Sequence, residues 1–230
     1  MAVENERMSA LVQFDDDCGS GDSRHVFEAI AADLLDKGYS IKSNAVPKTL
    51  LNELWQQLLS TPRHQFDPAG VGRQQAHTVN SSIRSDAISW IDRDTAAGED
   101  WLNWAAELQQ TLNRRLFLGL FSFESHFSHY APGDFYKKHL DAFKGQSNRV
   151  LSVVLYLNPD WVPGDGGELA LYHSDQSQSM LTVTPSMGTM VAFLSEEFPH
   201  EVLPAKRDRY AIAGWFRVNT TSTGRADPSD

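Results

Sequence analysis

His139 and Asp141 stand two residues apart and form an HxD pair. On a β-strand, side chains at i and i+2 leave the same face, so an imidazole and a carboxylate would project together. Leu140 between them would turn into packing. The pair alone is weak, because His-x-Asp recurs by chance. A second imidazole is available at His200, 59 residues beyond Asp141 and just after the turn Glu196-Glu197-Phe198-Pro199. Two histidines and one carboxylate on a β scaffold make a facial triad, which leaves several positions of a six-coordinate metal open. That suits Fe(II), whose free positions can take a chelating substrate and O2. Zinc is the rival metal, although its catalytic sites usually keep only one open position. Arg209 follows His200 by nine residues, at the head of RYAIAGW. A guanidinium inside a barrel needs a partner, since burying an unpaired charge is costly. A dicarboxylic acid chelating the metal at one end could meet it at the other through two parallel hydrogen bonds. The plain alternative is a strand-end arginine facing water. The remaining histidines (His25, His64, His77, His126, His129 and His173) show no usable paired spacing.

Elements must bring these side chains together. Val26, Phe27, Ile30, Ala31, Leu34 and Leu35 recur at helical spacing, with Gly38 as the stop. Pro47 opens a second helix whose apolar face is Leu50, Leu51, Leu54, Trp55, Leu58 and Leu59. A third helix is expected over 99–115, with Trp101, Leu102, Ala105, Leu108 and Leu112 inward. Residues 61–80, with Pro62, Pro68, Gly70 and Gly72, read as a loop, and 83–91 as a strand or strand pair. From Phe121 onward the pattern is β. Phe121, Phe123 and Phe127 would share one strand face. RVLSVVLYLN (149–158) is apolar on both faces, as in a central strand. Turn residues separate it from GELALYH, GTMVAFL and YAIAGWFRV. The expected fold is therefore mainly β with bracing helices (α+β), around a jelly-roll or cupin-like double-stranded β-helix. We expect a flexible acidic leader over 1–22, one domain over 23–219, and a flexible tail over 220–230. Within the domain, helical support covers 23–115 and the jelly-roll core about 77–219.

Composition removes several classes of function. The 230 residues carry 20 Lys and Arg against 30 Asp and Glu, a formal charge of −10, which argues against general phosphate-backbone binding and so against nucleic acid. Lys137, Lys138 and Lys144 leave a local basic patch open. No apolar run approaches the ~18 residues that cross a bilayer. The single cysteine, Cys18, excludes an internal disulfide framework and a structural Cys-type zinc site. The N-terminus lacks the basic and apolar regions of a signal peptide. A cytoplasmic monomer is the expectation.

Several stretches together resemble a known family. They are IRSDAISWI (83–91), HYAPGDFYKKHLD (129–141), RVLSVVLYLNPDW (149–161), GGELALY (166–172) and PHEVLPAKRDRYAIAGWF (199–216). Their order resembles the Fe(II)- and 2-oxoglutarate-dependent oxygenases, and within them the prolyl hydroxylases of the hypoxia-inducible-factor type, including bacterial homologues. Arg209 carries that distinction, since the collagen-type enzymes use a lysine for the co-substrate carboxylate. Ala213 departs from animal members, which tend to carry threonine there.

The resemblance implies roles. His139, Asp141 and His200 would hold iron. Arg209, assisted by Tyr156, would grip the distal carboxylate of 2-oxoglutarate, and Tyr130 would line that pocket. Tyr136 and Trp215 would flank the target proline, with Arg149 at the mouth. Arg84 and Asp86 would reach substrate from a mobile loop spanning Arg84 to Ile88. The implied reaction is trans-4-hydroxylation of a prolyl residue in a protein, with O2 consumed, succinate and CO2 formed and ascorbate as support. Oxygen sensing is the role of such enzymes in animals, and elongation factor Tu is the substrate associated with bacterial ones. Three alternatives stay open: a 2-oxoglutarate oxygenase acting on a small molecule or another residue type, a cupin-like metalloenzyme without 2-oxoglutarate, and a non-catalytic metal-binding module.

Overall fold

Apolar residues at helical spacing produce three helices in the computed structural model, which describes residues 23–70, 82–142, 148–173 and 176–219. The leader over 1–22, the tail over 220–230, Cys18, His77 and Lys144 lie outside the described residues. Helix α1 (Arg24–Lys37) buries Phe27, Ile30, Ala31 and Leu34. Gly38 ends it at φ 77°, a left-handed turn in which its N–H meets the Leu34 carbonyl, and only glycine adopts that turn without a Cβ penalty. Helix α2 (Lys48–Ser60) starts behind Pro47 and buries Leu50, Leu51, Leu54, Trp55 and Leu58. Helix α3 (Ala96–Leu116) begins before the expected 99, because the Thr95 hydroxyl accepts the Gly98 N–H and caps the first turn.

The strands are β1 (Tyr39–Lys42), β2 (Asp67–Pro68), β3 (Ala87–Trp90), β4 (Leu120–Tyr130), β5 (Tyr136–His139) and β6 (Arg149–Tyr156). They continue as β7 (Leu169–Leu171), β8 (Leu181–Val183), β9 (Met190–Leu194), β10 (His200–Val202) and β11 (Arg209–Val218). Two antiparallel sheets result. One has seven strands in the order β1-β9-β6-β11-β4-β3-β2, and the other has four in the order β5-β10-β7-β8. This is the double-stranded β-helix with helical support that the sequence implies. The described part of the expected 61–80 loop holds a helical turn at Arg63–Gln65 and the short β2. Strand β1, inside the helical region, was not expected: four residues are too few to show a period, and pairing with β9 creates it. Among the described residues, no helix is long and apolar enough to cross a membrane.

The seven-stranded sheet has two unlike faces. Its outer face meets the helices through Phe127, Leu151, Val153, Leu155, Ile212 and Phe216, which pack with Phe27, Leu54, Trp101 and Leu108. Phe123 is half-buried at the edge of this layer, while Phe121 is exposed, contrary to the expected shared face. Its inner face meets the smaller sheet through Tyr130, Tyr156, Val191, Phe193 and Ala211, against Leu169, Leu171 and Val202. Asn158, after β6, locks the strand ends: its amide donates to the Pro185 and Tyr210 carbonyls, and its oxygen accepts the Tyr210 N–H. That staple accounts for the Asn of the YLN stretch.

Candidate active site

Strand pairing puts the two imidazoles side by side. His139 ends β5 and lies opposite His200 of β10, their ring centroids 4.3 Å apart. Asp141 lies past the end of β5, in the bend that follows, rather than within the strand. Its carboxylate nevertheless turns in. Oδ1 is 3.5 Å from His139 Nε2, and Oδ2 is 3.7 Å from His200 Nε2. The three donors lie within 4.8 Å of one another, and they are the candidate metal cluster found among the described residues.

Neighbours decide which atoms face the centre. His139 Nδ1 lies 2.8 Å from the Lys137 carbonyl, and His200 Nδ1 lies 3.1 Å from the Phe198 carbonyl. A carbonyl can only accept, so both Nδ1 atoms carry the proton and both Nε2 lone pairs are left for a metal. Asp141 Oδ2 accepts from Ser152 Oγ at 2.6 Å and from Trp215 Nε1 at 2.8 Å. Ser152 is held in turn by Ser195, 2.8 Å away. Oδ1 therefore remains as the ligand oxygen. Burial alone would raise the Asp141 carboxyl, but the adjacent imidazoles and the Ser152 hydroxyl outweigh it and hold it well below the usual range. Burial, then His139, pushes His200 down to about 4, so it stays a neutral donor at neutral pH. Two imidazoles that turn Nε2 to the centre and one carboxylate fit a divalent transition metal with open positions.

A second cluster lies deeper. Arg209 is 2 % exposed, and its Nε donates to the Gly167 carbonyl at 2.8 Å. The guanidinium sits 4.9 Å from the Tyr130 ring and 5.2 Å from the Tyr156 ring. Among the described residues no carboxylate pairs with it. Tyr156 Oη is buried without a hydrogen-bond partner among the described residues, and burial pushes its phenol up to about 12 against the pull of Arg209. Burial likewise raises the Tyr130 phenol. A buried cation and an orphaned hydroxyl in one pocket match a ligand carboxylate, which would take a bidentate bond from the first and one hydrogen bond from the second. Gly167 permits the approach. At φ +70° it is strained for any L side chain, and a Cβ there would lie 3.0 Å from Arg209 Cδ.

The outer wall is aromatic. Tyr136 stacks on His139 with centroids 3.5 Å apart, and Arg84 lies 4.7 Å over the Tyr136 ring. Arg84 and the buried Asp86 form a two-bond ion pair, with Nη2 to Oδ2 at 2.8 Å. Pairing with Asp86 overcomes burial and raises the Arg84 guanidinium further. Arg84 also bridges Tyr136 along the backbone, which ties the 84–88 segment to β5. Arg149 lies 3.7 Å over the Trp215 ring. Lys138 sits 3.7 Å over the Tyr172 ring and donates to the Gln176 carbonyl.

The structure thus brings His139, Asp141 and His200 into one cluster, Arg209, Tyr156 and Tyr130 into a second, and Tyr136, Trp215, Arg149, Arg84 and Asp86 around the first. His126 was missed. It is buried on the inner face of β4, 5.2 Å from Trp90 and 5.5 Å from Trp215. Burial, then Arg84, pushes it down to about 3. The parity of β4 held the signal: Tyr130 and His126 are four residues apart and so share a face.

Three comparisons bear on the family and the fold. A family model described as the 2OG-Fe(II) oxygenase superfamily matches residues 125–217. The chain is similar to a prolyl-4-hydroxylase of Pseudomonas putida, with 38 % identity and a TM-score of 0.75 over 84 % of this chain and 99 % of that one. It is also similar to a Trichoplax adhaerens prolyl hydroxylase solved with a hypoxia inducible factor oxygen degradation domain peptide. There the identity is 27 % and the TM-score 0.73, over 85 % of this chain and 90 % of the other. A curated relative, the hypoxia-inducible factor prolyl hydroxylase of Caenorhabditis elegans, is 29 % identical over 144 residues, 58 % of this chain and 20 % of that protein. The chain spans between 20 % and 25 % of the length of the curated relatives it matches.

Proposed function

The chain belongs to the 2OG-Fe(II) oxygenase superfamily, and on that premise we propose that it hydroxylates a prolyl residue of a protein, in trans at C4. The observation that carries this reading is the hydrogen bond from Trp215 Nε1 to Asp141 Oδ2, 2.8 Å long, which joins the aromatic wall to a metal ligand. A ring held by Trp215 and Tyr136 would lie next to the metal. When bound, Fe(II) and 2-oxoglutarate supply the oxidation, in which one oxygen atom of O2 enters the prolyl C–H bond, the other enters succinate, and CO2 leaves.

The chain's own residues orient the partners. His139, Asp141 and His200 would hold the metal through three donors and leave further coordination positions for co-substrate and O2. Arg209 and Tyr156 would hold the distal carboxylate of 2-oxoglutarate, leaving its 2-oxo acid end for the triad. Leu169, Leu171 and Val202 exclude water from between the two ends. Tyr136, Trp215 and Arg149 receive the target residue, and the Arg84–Asp86 pair holds the neighbouring segment in place. We further propose a cytoplasmic protein substrate, with elongation factor Tu as the first to test and ascorbate as reductant for the resting metal.

The test is incubation with Fe(II), ascorbate and 2-oxoglutarate, with and without elongation factor Tu. The expected result is succinate in proportion to protein that gains the mass of one oxygen atom on a proline. Succinate without that gain would move the substrate to a small molecule or another residue. No succinate under any condition would leave a metal-binding module and overturn the proposal.

A further inference from the structure

We propose that Glu124 is a positioning residue for the target side chain, acting through Arg149 and Trp215; its kinetic consequence rests on the prolyl reading above. Glu124 lies on the inner face of β4, directly opposite Trp215 of β11. Its two oxygens have separate tasks. Oε1 accepts from Arg149 Nη2 at 2.9 Å, and Oε2 accepts from Arg217 Nη1 at 3.1 Å.

Strand register explains why one carboxylate serves both. Arg217 of β11 is the direct cross-strand partner of Arg149 of β6. Like charges directly opposite on paired strands repel. Glu124, one strand further on, bridges them and offsets part of their repulsion. The three side chains keep only 22 %, 29 % and 21 % of their exposure for Glu124, Arg149 and Arg217, so solvent screens the cluster only in part.

The held position of Arg149 has a consequence. Its guanidinium covers the Trp215 ring at 3.7 Å, and the same indole donates its N–H to Asp141. Glu124 therefore sits at the outer end of a continuous contact chain that ends on a metal ligand. Neither Glu124 nor Arg217 touches the metal, the 2-oxoglutarate pocket or the reacting carbon. Without the carboxylate charge, Arg149 is driven from its cross-strand neighbour and leaves the indole face. Trp215 then loses the cover that holds it against Asp141.

Glu124→Gln tests this, since it keeps size and an acceptor oxygen and removes the charge. The first readout needs no metal and no substrate: the indole N–H resonance of Trp215 in nitrogen-15-labelled protein, assigned with Trp215→Phe. We expect that resonance to shift and its exchange with solvent to quicken. The other indole signals, which report an intact fold, should hold. Adding Arg217→Gln removes the repelling neighbour and should return the Trp215 signal toward its original position. An unchanged Trp215 signal in Glu124→Gln overturns the proposal, and so does a double variant that shows no return. In the loaded enzyme, KM for the prolyl protein should rise about tenfold while KM for 2-oxoglutarate moves less than about twofold. If the unsubstituted enzyme hydroxylates no prolyl protein, the prolyl reading fails, and the indole measurement still decides on Glu124.

Discussion

The inner and outer faces of one sheet obey different rules in this protein. On β11, Ile212 and Phe216 face the helices, while Arg209, Ala211 and Trp215, one residue out of phase, face the barrel. The outer face asks its residues mainly for volume and apolar surface, and Leu, Val, Ile and Phe meet that demand without offering a polar atom. The inner face asks for particular atoms: an Nε2, an Oδ1, a guanidinium, an orphaned phenol. A slip of one residue would exchange the two sets, so pairing register is itself a functional requirement. Substitutions outside should cost stability and spare chemistry, and substitutions inside should do the reverse.

The largest break in that contrast is Asp141→Ala. It removes the single carboxylate ligand, and succinate formation should fall to background while the circular dichroism spectrum holds. Arg209→Met follows. Removing one partner of a buried charge pair costs about 3 kcal/mol, so KM for 2-oxoglutarate should rise roughly a hundredfold, with the thermal midpoint little changed. On the outer face, Leu108 is fully buried against the sheet. Leu108→Ala should lower unfolding free energy by about 2–5 kcal/mol in urea titrations, and both KM values should stay where they were.

Acid sharpens the comparison further. His126 and His200 are buried on the inner side and titrate at about 3 and about 4 in the folded chain. In the unfolded chain both titrate near 6.5. Above that pH both are neutral in either state and nothing changes. Below it the unfolded chain binds protons that the folded chain refuses. Each histidine therefore removes about 1.4 kcal/mol of stability per pH unit as pH falls from ~6.5 toward the folded value. Urea midpoints of metal-free protein between these limits should show the slope, and His126→Gln should remove about half of it. The smallest expected effect is at Gly167. Forcing a Cβ into its left-handed turn costs about 1–2 kcal/mol. Gly167→Ala should raise KM for 2-oxoglutarate by at most about five- to thirtyfold by displacing Arg209, readable in steady-state kinetics.

How much of this was legible depends on which face a residue serves. The helix stripes and the core strands at 149–158 and 188–194 were readable, because burial against a flat surface imposes a period. His139, Asp141, His200 and Arg209 were readable only as an ordered set among the neighbouring stretches, since His-x-Asp alone recurs by chance. The limits were local. Four-residue β1 carries too short a pattern, and pairing with β9 defines it. Phe121 fits the spacing of a buried face, yet the pairing of β4 with β11 shifts there, from Ser122 opposite Arg217 to Leu120 opposite Val218, so Leu120 takes the buried side and Phe121 is exposed. His126 has no sequence partner at metal-binding spacing, since its neighbours Trp90 and Trp215 come from two other strands. Glu124, Arg149 and Arg217 are far apart in the chain, and cross-strand register alone makes them a cluster. Composition reports what a face must contain; register decides who meets whom.

The contacts that set the two imidazole tautomers have a consequence for how this site can change over time. Both acceptors are main-chain carbonyls two residues upstream of the ligand, at Lys137 and Phe198. A carbonyl belongs to every amino acid, so no single-base change at either position deletes it. The orientation of both nitrogen ligands is thus inherited with the backbone rather than with any neighbouring side chain. Asp141 differs, because Ser152 and Trp215 hold its carboxylate through side chains; the rest of the wall can drift toward new substrates while both imidazoles stay aimed, which makes this pocket a good starting point for laboratory evolution.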